Sequence, residues 1–155
     1  MKRAIKISLT VIGILFIIIQ LMPRDHNESG DMPANDISKV YAISLNVGAI
    51  LKRSCYDCHS NNTNYPFYAR IQPMRYMMDR HVRQGKEELN FSEFGAYSSR
   101  KQRSKLRAIG ESLDEGSMPL SSYTLIHRNA ILSNEDKATL MNWVKLTSDS
   151  LLLKK

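Results

Sequence analysis

The sequence predicts an all-α fold, a bundle of short helices. Four segments space apolar residues three and four apart between capping residues, and no segment alternates apolar with polar side chains as a half-buried strand does. In the first segment Asn46 is placed to cap a helix with Val47, Ile50, Leu51 and Ser54 on one side, running into Cys55. Residues 40–45 before it have no clear type. The second opens with Pro73 at a first helical position and continues with Met74, Met77, Met78, His81 and Val82, with Gly85 expected to stop it. His81 is thereby expected to face the core.

The third helix is expected to start near Ser98 or Ser99, to set Leu106, Ile109 and Leu113 on one face and to end at Gly116. Its basic residues then lie mostly outward. The fourth has Ser133 as N-cap, Glu135 and Asp136 in the first turn where acids suit the helix dipole, and Leu140, Met141 and Val144 with Trp143 nearby as its apolar side.

A chain of 155 residues, 43% hydrophobic, suits one compact domain with appendages. Aromatics make up only 8%, with one Trp, so the core is modest and a bulky prosthetic group would help fill it. Net charge is +7, but Lys2, Arg3 and Lys6 supply three of these, leaving +4 for the rest. Only residues 100–107 cluster basic side chains, and no stacking aromatics interleave with them, which argues against a nucleic-acid partner.

The first six residues hold those three charges, and residues 7–22 are then apolar except for Ser8, Thr10 and Gln20. This has the pattern of a signal peptide or signal anchor. The exit Ile19-Gln20-Leu21-Met22-Pro23 lacks the small residues of a cleavage site, so the expectation is an uncleaved single transmembrane helix. Its sixteen residues would span about 24 Å, extended by Ala4 and Ile5 if Lys6 snorkels. The flanking charges would then stay cytoplasmic, leaving the rest on the periplasmic side of the cytoplasmic membrane. Residues 23–36 are polar with two prolines and are taken as a linker; residues 37–155 form the folded domain.

Only two cysteines occur, which excludes a disulfide framework. They stand in Cys55-Tyr56-Asp57-Cys58-His59, the pattern of c-type haem attachment. Two thiols three positions apart lie on adjacent sides of one helical turn and can add to the two vinyl groups along a porphyrin edge. The next residue, His59, then offers its imidazole as proximal iron ligand. A zinc site would want a second ligand pair at short spacing, and His26, His81 and His127 are scattered. A thioredoxin-like centre would want a strand-helix-strand context, and this chain has helical periodicity instead.

The chain resembles the small bacterial haem-binding domain family, related to class I cytochromes c, over residues 46–144. The likeness rests on residues 50–61 around the Cys-x-x-Cys-His motif, Tyr65-Pro66-Phe67-Tyr68, His81-Val82 with Gly85, residues 89–94, and Met118-Pro119 with Tyr123 and His127. What the family implies is one covalent haem in a cytochrome c-like helical domain whose N- and C-terminal helices pack together.

For the sixth iron position Gly116-Ser117-Met118-Pro119 resembles the Met-Pro turn that presents a thioether to haem iron, so Met118 is the first candidate. His81 is the alternative ligand, because an imidazole on an apolar stripe needs a partner or a metal. His127 is expected to pack or hydrogen-bond beside the haem, and His26 to be solvated. Tyr65, Phe67 and Tyr68 are candidate haem contacts, with ordinary core as the competing assignment. The basic residues Arg100, Lys101, Arg103, Lys105 and Arg107 offer propionate or partner contacts, against a plainly solvated face.

With two protein axial ligands the iron changes oxidation state without binding substrate, so the leading expectation is single-haem electron transfer to redox partner proteins of the cell envelope, and no enzyme activity. The alternative is a peroxidase-like or gas-sensing protein with an open or displaceable sixth position and His81 as distal group. A third expectation is an interaction module in which the haem serves mainly as a folding nucleus.

Overall fold

The structure, a computed structural model, describes residues 1–153. Among them all regular elements are helical, apart from an isolated antiparallel bridge between Glu28 and Asn62. In chain order the α-helices are α1 (Lys2–Ile19), α2 (Ile37–Val40), α3 (Leu45–Ser54), α4 (Tyr56–His59), α5 (Met74–Glu88), α6 (Ser99–Glu115), α7 (Ser121–Thr124) and α8 (Asn134–Leu153), with 3₁₀ turns at Phe67–Arg70, Phe91–Ala96 and Arg128–Ala130. The all-α expectation and the four main helices are observed.

The transmembrane expectation is overturned: among the described residues no helix is long and apolar enough to cross a membrane. Helix α1 ends at Ile19, so Leu21 and Met22 do not extend it, and its 18 residues include Lys2, Arg3 and Lys6. The uncharged run left inside it, residues 7–19, spans only about 20 Å, well short of a hydrocarbon core of about 30 Å. Single-pass localisation in the cytoplasmic membrane loses its support with it.

Residues 23–36, expected as a linker, hold to the domain at several points. The Asn27 side chain is buried and donates to the Ser60 carbonyl and to Thr63 Oγ1, both at 2.8 Å. The N–H of Asp25 donates to Asp79 Oδ2 and its carbonyl accepts from Arg75.

Helix α3 is capped by Ser44, whose hydroxyl accepts from the Val47 N–H, two residues before the expected Asn46. Its buried face, Val47, Ile50, Leu51 and Ser54, is the expected one. Ser98 caps α6, and Gly116 closes it in the left-handed region at φ +66°. At α8, Ser133 Oγ accepts from the Asp136 N–H at 3.0 Å while Asp136 Oδ2 accepts from the Ser133 N–H at 2.9 Å, a reciprocal capping box.

Helix α5 departs from expectation twice. It continues past Gly85 to Glu88, and it buries Arg75, Met78, Asp79 and Val82 rather than the Met74, Met77 and His81 stripe. The shift follows from the buried ion pair between Arg75 and Asp79, one turn apart at 2.9 Å, whose guanidinium also stacks on the Tyr65 ring at 3.8 Å. A buried ion pair can occupy a face that periodicity assigns to apolar residues. His81 is left half-buried and Met77 exposed.

The main core joins α3, α6, α8 and the Phe91–Ala96 turn through Ile50, Leu51, Phe91, Phe94, Leu106, Leu140 and Trp143. Helix α8 packs on both α6 and α3, so the first and last helices of the bundle touch. A smaller cluster of Ala69, Met78 and Val82, with Tyr65 and Tyr68 against it, lies under α5.

Candidate haem site

The helical run of α3 breaks at Cys55, which takes φ −130° and ψ −41°, and α4 restarts as a single turn from Tyr56 to His59. This turn sits against α5 at its one glycine. A Cβ added to Gly85 would stand 2.6 Å from the Cys58 carbonyl oxygen, so only glycine allows the two backbones to meet there. The glycine that sequence patterning assigns to a helix stop is a contact point.

That contact orients His59. Its Nδ1 lies 2.9 Å from the Gly85 carbonyl and 3.0 Å from the Leu89 carbonyl. Carbonyls only accept, so Nδ1 carries the hydrogen and Nε2 keeps its lone pair. Burial lowers the His59 pKa, against the pull of the two carbonyls, and keeps the ring neutral. A neutral imidazole with Nε2 unprotonated is the form that binds a metal. The Phe91 ring, edge-on at 6.2 Å, fixes the ring from the side.

Both cysteines are free and half-buried. Burial, helped by the neighbouring Cys58 against the pull of Arg53, pushes the Cys55 thiol up to about 12, and burial with Asp57 pushes Cys58 to about 11. They are protonated thiols in an apolar setting, the reverse of the acidic thiol that a disulfide-exchange centre needs. Among the described residues no three His, Cys, Asp or Glu side chains converge as a metal cluster.

Two adjoining cavities of about 210 and 240 Å³ share Ser54, Cys55, His59, Glu88, Met118 and Pro119 as walls and form one cleft. The first adds His81, Gly85 and Tyr123; the second adds Leu51, Leu89, Phe91, Ile109, Leu113 and Leu140. The Ser54 hydroxyl is buried at this cleft without a hydrogen-bond partner, which leaves a donor for a bound group. A flat apolar cofactor that brings its own four metal ligands fits this lining; a metal needing three or four protein side chains does not.

Met118 thus shares the cleft with His59 and both cysteines, 38% exposed. His81 lines the same cavity from α5. Tyr65, Phe67 and Tyr68 line neither cavity: Tyr65 lies under Arg75, Phe67 is 81% exposed, and the Tyr68 hydroxyl is 2.6 Å from His127 Nε2. Of the basic residues on α6, Lys105 reaches the cleft, 3.7 Å from Glu88, whereas Arg107 pairs with Glu111 and Lys101 covers the Tyr97 ring.

Tyr123 is the residue that helical patterning does not find. Its ring stacks on His127 at 4.2 Å and its hydroxyl donates to Asp57 Oδ2 at 2.6 Å. Burial and the Asp57 carboxylate hold its pKa well above the ordinary tyrosine value. Its partner occupies one of the two variable positions between the cysteines, which carry no signal of their own in the motif.

Against this geometry stands one comparison with known proteins: residues 14–146 match the haem-binding domain family. The chain belongs to the haem-binding domain family. The match covers the whole cleft, from the Cys55 turn to the Leu140 wall, and makes the chain a haem-binding protein. Neither the curated proteins nor the solved structures contain a significant match. A bound haem would supply a redox-active iron, and the cleft residues would hold and shield it.

Proposed function

We propose that Cys55 and Cys58 hold the haem covalently, that His59 and Met118 are its axial ligands, and that the protein transfers single electrons. Each thiol would add across a vinyl double bond, its sulfur bonding one carbon and its proton going to the other, so no external oxidant would be needed. The observation that supports the reading is the cleft itself, which Cys55, Cys58, His59 and Met118 line together with apolar residues. Held by a soft neutral sulfur and an imidazole, the iron would favour the ferrous state and would leave no position for a substrate.

Met118 is preferred to His81 on topology. His81 sits on α5, the helix that backs the His59 ring through its Gly85 carbonyl, whereas a second ligand would be expected from another segment. Met118 enters from the segment between α6 and α7. The competing reading, an open sixth position with His81 as distal group, draws on the presence of His81 in the same cavity.

Absorption spectra of the haem-loaded protein with and without carbon monoxide decide between them. A low-spin spectrum with a sulfur-to-iron charge-transfer band, indifferent to carbon monoxide until Met118→Ala opens the site, is expected, with His81→Ala unchanged. Carbon monoxide binding by the unaltered protein would instead support the open-site reading.

A further inference from the structure

A file of aromatic rings runs from the surface into the haem cleft. Phe67, exposed over 81% of its surface, meets the Tyr68 ring edge-to-face at 5.8 Å, Tyr68 meets His127 at 5.9 Å, and His127 stacks on Tyr123 at 4.2 Å. Tyr123 lines the cavity that contains Cys55, Cys58, His59 and Met118. None of the outer three rings lines that cavity, so their arrangement is not explained by haem contact.

The chain flanking the outer rings carries exposed apolar and basic side chains. Leu125 and Ile126, 64% and 49% exposed, immediately precede His127 in the chain. Arg70 and Arg128, both exposed, close the Phe67 turn and follow His127, and neither belongs to an ion pair among the described residues. The one carboxylate on the file, Asp57, is occupied by the Tyr123 hydroxyl. A large exposed aromatic among aliphatics, with unpaired guanidinium groups at the edge, is the composition of a transient interface. The rim charge selects an acidic partner.

We infer that the surface centred on Phe67 docks an acidic electron-carrying protein, and that Phe67, Tyr68, His127 and Tyr123 form the route by which its electron reaches the haem. This rests on the electron-transfer reading above. One electron leaves the reduced partner and converts ferric to ferrous iron; the rings mediate the passage without being oxidised, and no bond changes.

The test uses the full haem-loaded chain with a reduced acidic flavodoxin as probe and ascorbate as a small reductant that needs no docking. Flavodoxin reduction should slow with rising ionic strength, and Phe67→Ser or Arg128→Glu should each lower its second-order rate constant about tenfold, as rim substitutions at steered interfaces do. Binding of oxidised flavodoxin, followed by NMR, should weaken in parallel. Tyr68→Leu should slow reduction at saturating flavodoxin while leaving binding unchanged, and ascorbate rates should be equal for all four proteins. Rates within twofold of the original for the Phe67 and Arg128 variants, a rate that rises with salt, or NMR shifts on another face would overturn the inference. Failure of ascorbate as well as flavodoxin would instead overturn the electron-transfer reading itself.

Discussion

The hydroxyl of Tyr123 donates to Asp57 Oδ2 at 2.6 Å across 66 residues of chain, tying the segment that bears Met118 to the turn that bears the cysteines. A partly buried bond to a carboxylate contributes about 1.5–3 kcal/mol. Tyr123→Phe keeps the stack on His127 and removes the tie. It should lower the denaturation midpoint in urea and raise amide exchange over residues 116–127, and the haem-loaded variant should gain carbon monoxide binding. An unchanged midpoint and exchange pattern would show that the bond holds nothing in place.

Gly85 and Gly48 give a matched pair. A Cβ at Gly85 would enter the Cys58 carbonyl at 2.6 Å, whereas at Gly48 it would make only an ordinary 3.6 Å contact with Ile43 Cγ2. Both are helical, so the gain in helix propensity is the same, about 1 kcal/mol. Gly85→Ala should nonetheless destabilise by about 1–3 kcal/mol, as overpacking against backbone does, while Gly48→Ala should be neutral or stabilising. Thermal unfolding of the two variants checks the contrast.

Asp136 provides the pH-dependent element. The Arg53 guanidinium 2.6 Å away, with the Ser133 N–H, holds its carboxyl at about 2. A depressed carboxyl pKa adds stability above the unfolded value of about 4 and loses it as pH falls toward 2. Asp136→Asn should therefore melt below the original protein at pH 7, by an amount that shrinks steadily between about pH 4 and pH 2. Ser133→Ala, which removes the hydroxyl half of the cap, should cost about 1 kcal/mol. Melting curves across that range measure both.

The helices were legible where a cap and a period coincide. Ser98, Gly116 and Ser133 each combine a turn-forming residue with an apolar stripe, and all three cap as expected. The α5 stripe misplaces the buried face because Arg75 and Asp79 pair inside the protein, a tertiary fact that a hydrophobic period cannot contain. In α1 the apolar run of the sequence continues to Met22, but the helix ends at Ile19. Within the cleft, Cys55, Cys58 and His59 come from contiguous chain and are visible as a word. Tyr123 and the Gly85 contact arrive from distant segments and gain meaning only when α5 and the segment after α6 close on the α4 turn.

The central claim is that the haem is bonded to Cys55 and Cys58. Mass spectrometry of the haem-loaded protein after acid denaturation and organic extraction tests it most directly. The account predicts a polypeptide heavier by one haem, which becomes the bare polypeptide mass in the Cys55→Ala, Cys58→Ala double variant. A bare mass in the unaltered protein, with all haem in the organic phase, would contradict it.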